Sequence, residues 1–192
     1  MKHFEGIGRR PQGFTLMELL VVVSIMVILA GLTMGLMSYV NQKQASETAK
    51  VQLGLLELAI EEYKADNGVY PGGRRSYSSR PTDRAIMELQ EALFPSQERV
   101  NGKPTKIYLT ELDPDNDTQG WLSGTNRKSI EIVDPWGTFY NYRTNDPDSS
   151  NTITANPGFD LWSSGPDGQT NAGSRGDYDP EDSKNIDDVR LW

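Results

Sequence analysis

Carboxylates are the reactive groups that this chain offers in quantity, and they fall in two settings. Glu18 is the single charged residue in an otherwise uncharged, mostly apolar run from Pro11 to Val40. A second group, eight acids between Gly158 and Trp192, faces only Arg175, Lys184 and Arg190. An acid inside an apolar helix costs about 2.5–3.5 kcal/mol at the centre of a bilayer, less near its edge, so it calls for a pairing partner or a route to the headgroups. Acids in Gly-rich turns suit a different chemistry, the binding of a hard cation such as calcium, which takes 6–8 oxygen ligands. Cys is absent and the one His is His3. A cysteine nucleophile is therefore excluded, and a Ser-His-Asp triad or a His-containing zinc site has only that residue to draw on. A carboxylate-pair hydrolase needs a cleft between two acids, whereas these acids cluster in turns. No Walker-type or dinucleotide loop occurs. Asp113, Asp115 and Asp117 alternate as in an EF-hand, but Thr118 and Gly124 stand where that loop needs Gly and Glu, so the segment reads as an acidic turn.

The elements that must carry these acids follow from the hydropathy pattern. Leu19 to Val40 is 22 residues without a charge, and about 20 apolar residues at 1.5 Å rise suffice to cross a hydrocarbon core of roughly 30 Å. Lys2, Arg9 and Arg10 precede the run with only Glu5 against them. That bias keeps the N-terminus in the cytoplasm and sends residues from 43 onward across the membrane. The apolar core is too long for a secretory signal peptide, and no A-x-A cleavage pattern follows it. The formal charge is −8, and setting aside the three cations and one acid of residues 1–13 leaves −10. So acidic an exterior is a poor nucleic-acid binder, because that affinity comes from neutralising phosphates. Without disulfides, packing or a bound ion must hold the exported part together.

Beyond Val40 the pattern becomes amphipathic. Ala49, Leu53, Leu56, Ile60 and Tyr63 are spaced 4, 3, 4 and 3, which predicts one buried helical stripe. Asn67-Gly68 with Tyr70-Pro71 supplies the stop. Unbroken from Phe14 to Asp66, such a helix is about 80 Å long. Pro81-Thr82-Asp83 starts a short second helix with Ile86, Leu89 and Leu93 on one face. Strands are expected over Ser129–Val133, Thr138–Arg143 and Phe159–Ser163, with Asp134-Pro135-Trp136-Gly137 as a type I turn. The fold class is thus α+β: a long N-terminal helix, its first half transmembrane and its second amphipathic, packed on a small antiparallel sheet. Composition alone makes residues 158–192 a solvated tail, yet Ile186, Val189, Leu191 and Trp192 return apolar groups at its end.

The stretch "GFTLMELLVVVSIMVILAG", residues 13 to 31, with its basic leader, resembles the class III signal of type IV pilins and pseudopilins. The resemblance implies cleavage by prepilin peptidase between Gly13 and Phe14, N-methylation of Phe14, and a role for Glu18 in assembly. It also divides the chain into a cleaved leader (1–13), a transmembrane and filament-core helix (14–40) and an extracytoplasmic domain (41–192). One departure is Gly35, where the family often has a Pro that locally unwinds the helix. "YKADNGVYP", "DPWGTFYNY" and the pair "FDLWSSGPDG" and "NIDDVRLW" resemble the major pseudopilins of type II secretion systems. That subgroup implies a pilin-like fold with a C-terminal structural calcium loop, its ligands falling on Asp167 and Asp187, then the carbonyls of Ser164 and Asn185, with Asp188 as an accessory. Between these segments, residues 169–184 look expanded. Implied partners are copies of the chain in a helical filament, minor pseudopilins, prepilin peptidase and an inner-membrane assembly platform, and no nucleic acid. The implied function is a non-enzymatic subunit of a periplasmic pseudopilus promoting export of folded proteins. A type IV pilin for adhesion, motility or DNA uptake is the alternative that shares residues 14–40, and a membrane-tethered hydrolase or binding domain leaves Glu18 unexplained.

Overall fold

The computed structural model describes residues 14–72, 83–95, 99–100, 103–110, 122–123, 131–148, 150, 152–172 and 178–192. By its contacts the chain divides into two units, residues 1–41 and 42–192. Gly13 and the acidic turn at Asp113, Asp115 and Asp117 lie outside the described residues, as do Pro81 and Thr82.

Helix α1 runs over Leu16–Asn67 without interruption, so no break occurs at Gly35. In the first unit the large apolar side chains that are described are exposed, and Leu16–Thr33 is long and apolar enough to cross a membrane. Two polar residues in this part satisfy themselves within the helix: Ser24 Oγ donates to the Leu20 carbonyl (2.8 Å) and Thr33 Oγ1 to the Leu29 carbonyl (2.6 Å). Such back-bonding leaves no hydroxyl proton unpaired in an apolar solvent.

In the second unit the predicted stripe is the core. Ala49, Leu53, Leu56 and Ile60 are fully buried, and Tyr63 is half-buried beside them. Each buried Leu or Ile contributes about 1.5–3 kcal/mol. The helix ends where expected: Gly68 adopts φ +78° and its N–H reaches the Lys64 carbonyl at 2.8 Å. Helix α2, Asp83–Leu93, adds Ile86, Leu89 and Leu93 to the same core.

Among the described residues seven short strands follow: β1 (Arg99–Val100), β2 (Lys103–Pro104), β3 (Leu122–Ser123), β4 (Glu131–Ile132), β5 (Asn141–Thr144), β6 (Phe159–Ser163) and β7 (Val189–Arg190). β1–β2 and β3–β4 are antiparallel pairs, and β5–β6–β7 form an antiparallel three-stranded sheet. Of the strand expected over Ser129–Val133, Ser129 and Ile130 lie outside the described residues; β4 covers Glu131 and Ile132, and Val133 bridges to Phe139. The strand expected from Thr138 begins only at Asn141, because Thr138 still belongs to the turn. Its N–H donates to Asp134 Oδ1 at 2.8 Å, while Gly137 N–H closes the turn on the Asp134 carbonyl at 2.9 Å. β7 was not anticipated as a strand, and it ties the chain's end to β6.

Within this sheet Arg143 and Asp160 are cross-strand partners, both fully buried, joined Nε to Oδ2 at 2.6 Å. Arg143 Nη1 also donates to the Ala172 carbonyl (2.9 Å), and Asp160 accepts from the N–H groups of Ala155 (2.8 Å) and Asn156 (2.9 Å). Removing one partner of such a pair leaves a buried charge uncompensated. Asp160→Asn is expected to cost about 3–5 kcal/mol, read as a lowered denaturant midpoint of the detergent-solubilised chain; an unchanged midpoint would show that the pair is dispensable.

Candidate functional site

Two places gather the chemistry singled out by sequence. At the first, Thr15 precedes α1 and its Oγ1 accepts the Glu18 N–H at 3.2 Å, while the Thr15 carbonyl accepts the same N–H at 3.1 Å. Thr15 is therefore the N-cap, and Glu18 stands three residues on, where the positive end of the helix dipole favours a carboxylate. Thr-x-x-Glu is a capping-box spacing, a local signal that the reading of Glu18 as a membrane acid overlooked. Among the described residues no hydrogen bond or ion pair engages the Glu18 carboxylate. Phe14 is 85 % exposed.

The second place is built outward from the Asp134–Gly137 turn. Asp134 is buried, which raises its pKa, and its carboxylate is held by the N–H groups of Trp136 (3.0 Å) and Thr138 (2.8 Å) and by Ser163 Oγ (2.5 Å), all of which oppose that rise. Ser163 ends β6, and its Oγ also receives the Gly165 N–H at 3.0 Å. The chain then turns through Gly165 (φ +62°) and Gly168 (φ +64°). A Cβ at Gly165 would lie 2.2 Å from the Asp187 carbonyl oxygen, so the "GPDG" turn and the "DDV" segment are in backbone contact only because residue 165 is Gly.

Asp167 and Asp187 are brought together: the Asp167 N–H donates to Asp187 Oδ2 at 3.1 Å, and Asp167 Oδ1 accepts the Gln169 N–H at 2.7 Å. Asp188 joins them. Its Oδ2 accepts from Thr170 Oγ1 (2.7 Å) and Tyr178 Oη (2.6 Å). Its Oδ1 is buried and has no hydrogen-bond partner among the described residues. Burial, and then repulsion from Asp187 and Asp167, pushes the Asp188 carboxyl up to about 6, against the two hydroxyl bonds that stabilise its charge.

Asn185 is buried as a fastener. Its Oδ1 accepts the Asn171 N–H (2.6 Å), and its Nδ2 donates to the carbonyls of Asn171 (3.0 Å) and Asp179 (2.6 Å). The Asn185 carbonyl, an expected ligand, accepts the Asp188 N–H at 3.2 Å. Ser164 is buried and its Oγ accepts from Asn141 Nδ2 at 2.8 Å. Sequence reasoning missed Thr170, Tyr178 and the side chain of Asn185. A lone aromatic in a Gly- and Asp-rich stretch was the available signal for Tyr178, since such a ring has to pack somewhere.

For a hard cation the fit is mixed. Among the described residues no three His, Cys or acidic side chains form a metal-holding group by themselves. Two or three carboxylates, one with a buried orphan oxygen, nonetheless suit calcium when carbonyl and water oxygens complete the shell.

Comparisons with known proteins place these features in a lineage. Residues 8–34 match the prokaryotic N-terminal methylation motif. The chain is 32 % identical over 161 residues to the type II secretion system core protein G of Vibrio cholerae, covering 84 % of each chain. It is 31 % identical over 172 residues to that of Pseudomonas aeruginosa, covering 89 % of this chain and 94 % of the relative. The Escherichia coli protein of the same name is 29 % identical over 164 residues, 83 % and 85 % of the two chains. No solved structure matches. With the N-terminal methylation motif, the apolar helix and the small antiparallel sheet all in one chain, this protein belongs to the type II secretion system core protein G family, the pseudopilins that are structural subunits of the pseudopilus.

Proposed function

We propose that the subunit is made with a leader, residues 1–13, that prepilin peptidase removes between Gly13 and Phe14 before the Phe14 amine is methylated. Residues 14–40 then hold it in the inner membrane as a single pass, N-terminus cytoplasmic and residues 41–192 periplasmic. Copies leave the bilayer from an inner-membrane assembly platform and, with minor pseudopilins, build the periplasmic filament that promotes export of folded proteins across the outer membrane. The subunit's role is structural, without catalysis.

The observation that carries this reading is the Glu18 carboxylate, in the first turn of a lipid-length helix and without a partner among the described residues. A buried charge is costly alone and less so when paired. The new amine of Phe14 on a neighbouring copy is a cation at the matching depth. Pairing makes the assembled state preferable to the dispersed one, and the cap from Thr15 is independent of the carboxylate's charge. Glu18→Gln keeps size and helix position while removing charge. It is expected to give an inserted, cleaved subunit with at least a tenfold loss of cross-linkable filament; filament at the wild-type level would overturn the charge-pairing role. Deleting the gene is expected to strand exoproteins in the periplasm, whereas lost surface fibres with normal secretion would point to the type IV pilus alternative.

Calcium is the proposed structural ion of the acidic loop, with Asp167 and Asp187 as side-chain ligands, the carbonyls of Ser164 and Asn185 completing the set, and Asp188 as an accessory. The ion would supply positive charge between carboxylates that repel one another. A ligand that binds only the folded state at a hundredfold excess over Kd stabilises by about 2.7 kcal/mol, or about 5–10 °C for a domain of this size. Asp167→Ala and Asp187→Ala are each expected to lower Tm by about that amount more in calcium than in chelator, where only the hydrogen bonds each carboxylate accepts are lost. Identical melting of the wild-type chain in calcium and in chelator would refute the ion.

A further inference from the structure

Two described residues of the stretch 169–184 meet on one carboxylate. Thr170 Oγ1 and Tyr178 Oη both donate to Asp188 Oδ2, at 2.7 and 2.6 Å. Oδ1 of the same group is buried without a hydrogen-bond partner among the described residues. A carboxylate gripped at one oxygen from two directions cannot rotate about its Cβ–Cγ bond without breaking both bonds, so the other oxygen keeps a fixed direction.

The two donors are themselves held. Thr170 Oγ1 accepts the indole N–H of the fully buried Trp162 at 2.9 Å. The result is a relay from indole to hydroxyl to carboxylate in which each bond polarises the next. The ring of Tyr178 stands edge-on to Trp162 (centroids 5.8 Å, 68°) and to Trp192 (6.0 Å, 73°), and Trp192 meets Trp162 at 6.1 Å and 90°. The guanidinium of Arg190, on β7, lies 4.9 Å from the Tyr178 ring centroid. Three aromatic rings and the last strand thus close around the hydroxyl that grips Asp188.

We propose that Thr170 and Tyr178 are positioning residues for the calcium ion: they pin Oδ2 of Asp188 so that Oδ1 is presented to the cation, and through Trp162 and Trp192 they couple occupancy of the loop to docking of the C-terminus. The inference rests on the calcium reading above. It assigns a purpose to Thr170 and Tyr178, the two donors that the described part of residues 169–184 supplies. It also makes the last residue of the chain part of the ion's support, two contacts removed from the ligands. Outer partners that orient a ligand typically change metal affinity by 10–100-fold when removed.

The test is calcium titration of the full chain in detergent by isothermal calorimetry, with tryptophan emission followed in parallel. Tyr178→Phe keeps the ring and its aromatic contacts but deletes the hydroxyl, and about a 10–100-fold weaker Kd is expected. Thr170→Val is expected to weaken binding in the same range, and Thr170→Ser, which retains the hydroxyl, to restore it. In the wild type, calcium is expected to shift tryptophan emission along the same isotherm as the heat. A purely structural role would lower the melting temperature in chelator while leaving Kd at the wild-type value in both Tyr178→Phe and Thr170→Val, and that result would overturn the positioning role while leaving the ion in place. A wild-type chain that binds no calcium would instead overturn the ion reading and this inference with it.

Discussion

The buried ion pair of Arg143 and Asp160 is the constraint on which the architecture of residues 42–192 rests. The two residues face each other across β5 and β6 with no exposure to water. A strand can slip by one residue only by sending every side chain to the opposite face. Here a slip would also separate two desolvated charges, which is the expensive way to break such a pair. The register that keeps them together also places Asn141 opposite Trp162. It thereby fixes where β6 ends, and the Ser163–Gly168 turn begins from that point. The same strand accepts β7 in the register Trp162 with Arg190 and Ser163 with Val189. The acidic turn and the acidic segment before β7 therefore meet because one ion pair holds one register.

A two-residue strand is a weak fastener, since β7 contributes few ladder bonds and the loop before it carries repelling acids. The chain compensates with contacts of other kinds. Gly165 lets the Asp187 backbone lie directly on the turn. Asn185 uses both ends of its amide to bind Asn171 and Asp179. Trp192 lies edge-on to both Trp162 and Tyr178. None of these neutralises Asp167, Asp187 and Asp188, and the carboxyl of Asp188 is raised by burial first and then by repulsion from the other two. Geometry closes this loop, and electrostatics leaves it short of positive charge. That imbalance is the physical argument behind the cation proposed for a fold that has no cysteine.

The long helix and its stop were readable because periodicity reports burial directly: a 4-3-4-3 stripe has one solution, and Gly68 sits in the left-handed conformation that its place after Asn67 suggested. β6 was equally legible from its Phe159, Leu161 and Trp162 between turn residues. Thr138 was misassigned to a strand because Thr favours strands by propensity, while its N–H was already committed to Asp134, a bond invisible without the turn's three-dimensional closure. β7 escaped because two residues carry no alternation to detect. The Arg143–Asp160 pair escaped for a deeper reason. Charged residues in short strands read as solvent-facing, and only the pairing of two segments 17 residues apart makes them interior. Pairwise facts of this kind, Thr170 and Tyr178 on Asp188 among them, are set by tertiary closure.

Glu18 was legible as an anomaly from the outset, but the cap changes what the anomaly means. A helix that begins inside or near lipid must satisfy its first N–H groups without water. Thr15 does this for the amide of Glu18 through its own side chain and carbonyl. If the carboxylate were needed for capping, it would be spent within its own chain and could not serve a neighbour. Because Thr15 takes that task, the carboxylate of Glu18 is not needed to cap its own helix. On the assembly route proposed above, a subunit would wait as a monomer in the bilayer and still carry an unspent electrostatic incentive to associate. Separating the group that finishes the helix from the group proposed to recruit the next copy would let one short N-terminal turn meet both demands.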